Sequence, residues 1–293
     1  MLKLEGVFTA IVTPMKKGRP DFAALKKVVK FQLDAGVDGL VPCGSTGEAA
    51  TLSPEEYLAV IKAVVSQARG RAAVMPGVGT NSTAKSVEMV KKVSALGADG
   101  LLAIVPYYNK PTQEGMTVHF SEMAKATRLP VVLYNIPGRT GVNMLPATAL
   151  GLRAKFRNIV GIKEASGNLD QVSELVNCAD PDFSVMSGDD SLTLPMMAVG
   201  AKGVISVVSN IAPAKTLRMC ECFAAGDLPG AVALHHDLFP LVKALFTETN
   251  PIPVKYAVSL LGLCGPEPRL PLLPLSAARR APLKAAMARA GLL

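Results

Sequence analysis

A short phrase recurs along the chain and limits what it can fold into. Ala35-Gly36-Val37-Asp38-Gly39-Leu40-Val41 is echoed by Leu96-Gly97-Ala98-Asp99-Gly100-Leu101-Leu102, and again by Val199-Gly200-Ala201-Lys202-Gly203-Val204-Ile205. In each copy the first Gly suits the left-handed turn that closes a helix. A short polar step follows, and then an apolar run that reads as a buried strand. The preceding segments have helical spacing: Phe22, Leu25, Val28, Val29 and Leu33 recur at threes and fours. Tyr57, Val60, Ile61, Val64 and Val65 do the same behind Ser53-Pro54-Glu55-Glu56, where Ser caps a helix and Pro fits its first turn.

Short apolar runs give eight candidate strands, at residues 7–12, 40–43, 73–78, 101–105, 131–135, 159–163, 184–187 and 204–207. Continuous apolar runs are what parallel strands covered on both faces require. Eight strand–helix units predict a (β/α)8 TIM barrel over residues 1–226. An open doubly wound sheet would favour a Gly-rich dinucleotide loop after an early strand, and no Gly-x-Gly-x-x-Gly occurs. After Gly226 the strand signals stop. Residues 231–246, 254–261 and 276–290 read as helices joined by Pro-rich turns, which makes residues 227–293 a small C-terminal α-helical domain.

Composition narrows the function classes. With 49% apolar and 18% charged residues, the chain has ample material for a core and is not of the disordered type. A net charge of +8 raises nucleic acid as a partner. Yet Lys and Arg are scattered, and the one cluster (Arg279, Arg280, Lys284 and Arg289) is spaced like a solvated helix face. Nucleic acid is therefore not expected, although a basic surface can draw in anionic substrates. The five cysteines are an odd, widely spaced set, which reads as reduced thiols in a cytoplasmic protein. Cys220 and Cys222 on one helix would face different ways, with no second ligand pair, so no zinc site is expected. No signal pattern is read at the N-terminus. The apolar stretch 191–212 is broken by Pro195, Gly200, Lys202 and Gly203, so no membrane span is expected there.

In barrel enzymes the chemistry sits where strands end. The second strand ends in Gly44-Ser45-Thr46-Gly47-Glu48, with two hydroxyls and backbone N–H groups able to hold a carboxylate; a tight turn is the plainer reading. The fourth ends in Pro106-Tyr107-Tyr108-Asn109, and the fifth in Tyr134-Asn135, followed by Pro137-Gly138-Arg139-Thr140. Three of the five tyrosines fall at these ends. The sixth, Ile159-Val160-Gly161-Ile162-Lys163-Glu164, places a lysine at the end of a strongly apolar run. Burial there favours the uncharged amine, the form that attacks a carbonyl. The alternative is a lysine that snorkels to solvent or pairs with an acid such as Glu164. Lys163 condensed with a ketone would form an iminium that serves as an electron sink, while a phenol and a hydroxyl relay protons. Such chemistry needs no metal or organic cofactor.

Several ordered motifs identify a resemblance over essentially the whole chain. Gly44 to Glu48, Pro106-Tyr107-Tyr108-Asn109-Lys110-Pro111, the run from Leu133 to Gly141 and the run from Gly161 to Asn168 resemble the signatures of the dihydrodipicolinate synthase and N-acetylneuraminate lyase superfamily. Ser187-Gly188-Asp189-Asp190, Gly203-Val204-Ile205-Ser206-Val207 and Asn250-Pro251-Ile252-Pro253-Val254-Lys255 continue it. The resemblance implies that Lys163 forms a Schiff base with pyruvate. It makes Tyr134 the proton donor and acceptor, linked through Ser45 to a Tyr108 contributed by a neighbouring subunit. Thr46 would hold the pyruvate carboxylate, with the backbone at Gly188 and Ile205 shaping the pocket. A homotetramer built as a dimer of dimers is implied. Ser45 departs from the Thr most often found at the relay position in the synthases. The hydroxyl survives, with a less restricted rotamer.

Among the sister activities the resemblance favours condensation of pyruvate with L-aspartate-4-semialdehyde, with Arg139 binding the second substrate's carboxylate through its planar fork. The alternative is cleavage or synthesis of a 2-keto sugar acid, in the manner of N-acetylneuraminate lyase, on the same Lys163 and Tyr134. Feedback by L-lysine is expected to be weak or absent. Asn81 and Tyr107 match the effector site of lysine-sensitive relatives. Pro54 and Tyr57 stand where bacterial sensitive enzymes tend to carry His, and Lys85 where an acid would meet the effector's ammonium.

Overall fold

The structure is a computed structural model that describes residues 2–293. Contacts group the chain into two compact units, one formed by residues 2–5 and 73–205, the other by residues 6–72 and 206–293.

In the second of these, the strands Gly6–Ala10 and Gly39–Val41 run parallel with Thr9 opposite Leu40. Between them the helix Phe22–Ala35 starts where the Asp21 side chain accepts from Ala24 N–H. It ends at Gly36, whose φ of 81° is the left-handed closure read from the sequence. The helix buries Leu25, Val28, Val29 and Leu33, as its spacing predicts, whereas Phe22, the fifth residue of that pattern, is exposed at the helix's first position. It also buries Gln32, which accepts from the Thr9 hydroxyl at 2.8 Å and donates to Ser209 O at 3.0 Å. Ser53 and Glu56 form a full capping box at the start of Pro54–Ala68. The later helices of this unit are Pro213–Ala224, for which no limits are read from the sequence, and Leu228–Leu245, Ile252–Leu260 and Ala277–Arg289, which lie close to the expected limits. Arg279, Arg280, Lys284 and Arg289 are exposed on the last of them.

The other unit carries the strands Leu101–Ile104, Val131–Asn135, Ile159–Glu164, Ser184–Ser187 and Gly203–Ser206, each parallel to the next. The run expected as one strand at residues 73–78 is two pieces, Ala73–Val74 and Gly77–Val78. Pro76 interrupts it, having no N–H to give to a ladder, although its carbonyl still accepts from Leu102 N at 2.9 Å.

The recurring phrase has a structural job within each unit. Asp38 N donates to Val7 O at 3.0 Å while its carboxylate accepts from Val7 N at 2.7 Å. Asp99 does the same to Val74, at 2.9 and 2.8 Å. In the third copy Lys202 stands at the Asp position, and only the backbone half of the clasp remains, to Val185 O at 2.8 Å. Gly97 and Gly200 have φ of 83° and 107°, matching Gly36.

Candidate active site

Tyr134 and Lys163 are register partners on adjacent parallel strands, so both side chains leave the same face. The Lys163 amine lies 4.3 Å from the centre of the Tyr134 ring. Both are buried, at 5% and 6% exposure. Burial pulls the Lys163 pKa down to about 8; Asp190 opposes this and the Arg139 charge assists it. The Tyr134 phenol is pushed up to about 12 by burial, with Arg139 opposing. The result is an amine with a substantial neutral fraction near pH 8, beside a phenol that keeps its proton. An amine of this kind is a nucleophile toward carbonyls.

Glu164 and Asn135 are the next register pair, and strand alternation turns them to the opposite face. The alternative in which Glu164 pairs with Lys163 does not hold. Its buried carboxylate instead accepts from Asn135 Nδ2 at 3.0 Å, Gln171 Nε2 at 3.0 Å and Ser166 N at 2.6 Å. Asn143 joins Asn135 to Gln171, with contacts of 2.7 Å on both sides. This amide cluster clasps the two strand ends behind the reactive pair.

Gly188 packs against the lysine stem. A Cβ there would stand 3.1 Å from Lys163 Cε and 2.7 Å from Ala165 Cβ. Ile205 is buried on Gly203–Ser206. Arg139 is exposed on the single turn Pro137–Thr140, and its charge reaches both reactive groups. Tyr108 is 88% exposed and has φ of 75°, left-handed backbone that a non-Gly residue adopts at a cost. Its N–H donates to Thr140 O at 3.4 Å.

Ser45 and Thr46 belong to the other compact unit. Their loop is bracketed by Cys43 and Glu48, both left-handed, with φ of 54° and 55°. Gly47 has no room for a side chain, because a Cβ would meet Cys43 N at 2.9 Å. Glu48 is buried and accepts from Lys255 Nζ at 2.5 Å and from Arg269 N at 2.8 Å. Thr46 is buried, and its hydroxyl accepts from Asn250 Nδ2 at 2.9 Å. Ser45 is half-buried.

Sequence reasoning offers Glu164 only as a partner for Lys163 and assigns no role to Asp190, Asn135, Asn250 or Lys255. Each sits inside a motif quoted for the resemblance. The available signal is a polar or charged residue beside an apolar run, which by itself does not tell a buried network from a surface. Among the described residues no group of three or more His, Cys, Asp or Glu could hold a metal ion, and no helix is long and apolar enough to cross a membrane.

Comparison with known proteins agrees along the whole chain. The model of the dihydrodipicolinate synthetase family matches residues 3–290. The 4-hydroxy-tetrahydrodipicolinate synthase of Oleidesulfovibrio alaskensis is 49% identical over 291 residues, 99% of this chain and 100% of that protein. A solved monomeric dihydrodipicolinate synthase variant is 44% identical with a TM-score of 0.97, covering 99% of this chain and 97% of that one. The lysine-bound dihydrodipicolinate synthase of Cyanidioschyzon merolae is 42% identical with a TM-score of 0.96, covering 99% of both chains. The fold is thus of the class read from the sequence, a (β/α)8 barrel with a helical C-terminal region.

Proposed function

The chain belongs to the dihydrodipicolinate synthetase family, and from that premise we propose that Lys163 and Tyr134 carry the condensation of pyruvate with L-aspartate-4-semialdehyde to 4-hydroxy-tetrahydrodipicolinate. This is the entry step to diaminopimelate and lysine. The observation that supports it most is the desolvated Lys163 amine beside the Tyr134 ring.

The neutral Lys163 amine adds to the keto carbon of pyruvate and water leaves, giving an iminium. The iminium accepts the electron pair left behind when a methyl proton departs, and the resulting enamine carbon attacks the aldehyde of the second substrate. The aldehyde oxygen takes up a proton and becomes the hydroxyl. The amino group of the semialdehyde then adds to the iminium carbon, closes the ring and displaces Lys163. One water is lost overall and the enzyme is regenerated. Tyr134, protonated throughout the neutral range, supplies the proton that each addition needs and receives it back through the hydroxyl relay. Ser45 and Tyr108 are assigned to that relay by the family resemblance, Thr46 to the pyruvate carboxylate, Gly188 and Ile205 to the pocket wall, and Arg139 to the carboxylate of the semialdehyde.

The exposure and left-handed backbone of Tyr108 fit a side chain that reaches into a neighbouring copy. We assign a homotetramer built as a dimer of dimers, to be checked by light scattering, and a cytoplasmic location, in keeping with cysteines that are all free thiols. A coupled assay with pyruvate and aspartate semialdehyde tests the reaction. Turnover of both is expected. Cleavage of a 2-keto sugar acid without semialdehyde turnover would move the chain to the sister activity.

A further inference from the structure

Thr46 and Asn250 are 204 residues apart in sequence and in direct contact, and the polarity of that contact bears on substrate binding. A hydroxyl has one proton to give and two lone pairs to offer. The Asn250 amide nitrogen can only donate, so at 2.9 Å the Thr46 oxygen is the acceptor and its own proton points elsewhere. The loop around Thr46 has little freedom to change this. Glu48 is held by Lys255 and by the Arg269 backbone, and the Gly47 carbonyl accepts from the Thr13 hydroxyl at 2.8 Å. Lys255 is fully buried, which makes its ion pair with Glu48 a fixed post. The β-branched side chain of Thr46 is itself restricted at χ1.

We propose that Asn250 is a positioning residue that sets the Thr46 hydroxyl as a hydrogen-bond donor toward the carboxylate of pyruvate. This rests on the reading that Thr46 holds that carboxylate. A carboxylate only accepts, so a Thr46 hydroxyl whose proton was spent on a neighbour would present lone pairs to it. With the amide nitrogen filling one lone pair, the proton is committed to the substrate before it arrives. The helical C-terminal region, far from the strand that bears the nucleophile in sequence, thereby takes part in recognising the 2-oxo acid.

Asn250→Asp is the near-isosteric test, because an ionised Asp can only accept and would take the Thr46 proton. It should lower kcat/KM for pyruvate about tenfold or more, the usual cost of losing a hydrogen bond to a charged group. The same value for the semialdehyde should stay within about twofold, and the thermal midpoint should show that the variant folds. Asn250→Ala should have a smaller effect in the same direction. In a double-mutant cycle, Thr46→Val alone should lower kcat/KM for pyruvate, and Asn250→Ala should add nothing to it. An Asn250→Asp variant with the parent's pyruvate kinetics would overturn the proposal, as would full additivity in the cycle with Thr46→Val impaired. If Thr46→Val were itself unimpaired, the reading of Thr46 as the carboxylate's partner would fail, and the role of Asn250 with it.

Discussion

The Lys163 amine stands 4.3 Å from the centre of the Tyr134 ring because the two residues are opposite one another in a parallel ladder. Burial holds the amine at a pKa of about 8, and that has two measurable consequences. The first is kinetic. In the proposed reaction the neutral amine is the nucleophile, so kcat/KM for pyruvate should rise with pH through about 8 and level off above it. Borohydride in the presence of pyruvate should add one adduct per chain, at Lys163. Labelling at another lysine would sink the assignment.

The second consequence is a stability cost. An unfolded lysine titrates near 10.5, so between about pH 8 and 10.5 the folded chain binds fewer protons than the unfolded one. This group's contribution to stability therefore improves as pH rises through that window and is worst below it. At pH 7 the penalty is of order 3 kcal/mol, taking the shift at about 1.4 kcal/mol per unit. Lys163→Met should abolish activity while raising the thermal midpoint at pH 7, and the gain should shrink toward pH 10. An unchanged or lowered midpoint at pH 7 would argue that the amine is not buried as described.

Gly188→Ala tests how tightly the lysine stem is held. The added methyl would reach 3.1 Å from Lys163 Cε and 3.1 Å from Glu164 O, closer than ordinary packing allows. Neither strand end can retreat, since Gly188 N is bonded to Glu164 O at 2.7 Å. Displacing a reacting group by a fraction of an ångström to an ångström costs on the order of 10²-fold in rate. Single-turnover Schiff-base formation should slow by about that factor while the fold is retained. Parent-like trapping kinetics would show that the pocket wall is soft.

Much of the molecule is legible in the sequence because its signals are local. Gly36, Gly97 and Gly200 announce helix ends through their own backbone freedom, and apolar runs announce strands through their neighbours. Lys163 stands out because a long cation ends such a run. Pro76 is a local signal hidden by its surroundings: it lies inside an apolar run, and only its missing N–H splits the strand. The other omissions are non-local. Thr46 with Asn250 and Glu48 with Lys255 meet across 204 and 207 residues, and no periodicity links the members of either pair. Glu164 is subtler, since proximity in sequence suggests Lys163 as its partner. Strand alternation sends the two side chains to opposite faces and gives the acid to Asn135 and Gln171 instead.

That amide cluster should carry both stability and geometry. Glu164→Ala would strand the Asn135 and Gln171 donors in a buried site, at about 1–3 kcal/mol for each group left unsatisfied. Chemical denaturation should show a loss of a few kcal/mol, and kcat should fall because both strand ends flank the reactive pair. Glu164→Gln keeps the shape but sets an amide nitrogen against amide donors, so it should also destabilise. A Glu164→Gln variant as stable as the parent would mean that Asn135 and Gln171 can turn over to accommodate it.

The Arg139 charge lowers the pKa of both Lys163 and Tyr134, and this effect is separable from the proposed one, a fork for the semialdehyde's carboxylate. Arg139→Ala should raise KM for the semialdehyde about tenfold to a hundredfold and for pyruvate far less. It should also shift the rising limb of the pyruvate pH profile to higher pH. Arg139→Lys retains the charge without the planar fork, so the pH profile should stay in place while the semialdehyde KM remains high. Equal damage to both substrates in Arg139→Ala would make the residue a support for the fold rather than a substrate clamp.

L-Lysine should inhibit this enzyme weakly or not at all. The Cyanidioschyzon merolae relative was solved with lysine bound, so the fold can host that ligand. The family resemblance puts Lys85 at the position where an acid would meet the effector's ammonium. Lys85 is exposed in the first turn of the helix Thr83–Ser94, capped by Ser82. A cation at that end of a helix opposes the backbone dipole as well as the effector's charge. Tyr57, which the resemblance puts where a His would be expected in a sensitive enzyme, is buried, and burial holds its phenol protonated far above neutral pH. Lys85→Glu reverses the charge that would repel the ammonium, and it should also stabilise the helix by about 0.3–1 kcal/mol by suiting its dipole. Titrating L-lysine against both proteins separates these effects. Little inhibition is expected in the parent at millimolar lysine, and stronger inhibition in the variant. Sub-millimolar inhibition of the parent would show that other contacts outweigh the charge at Lys85.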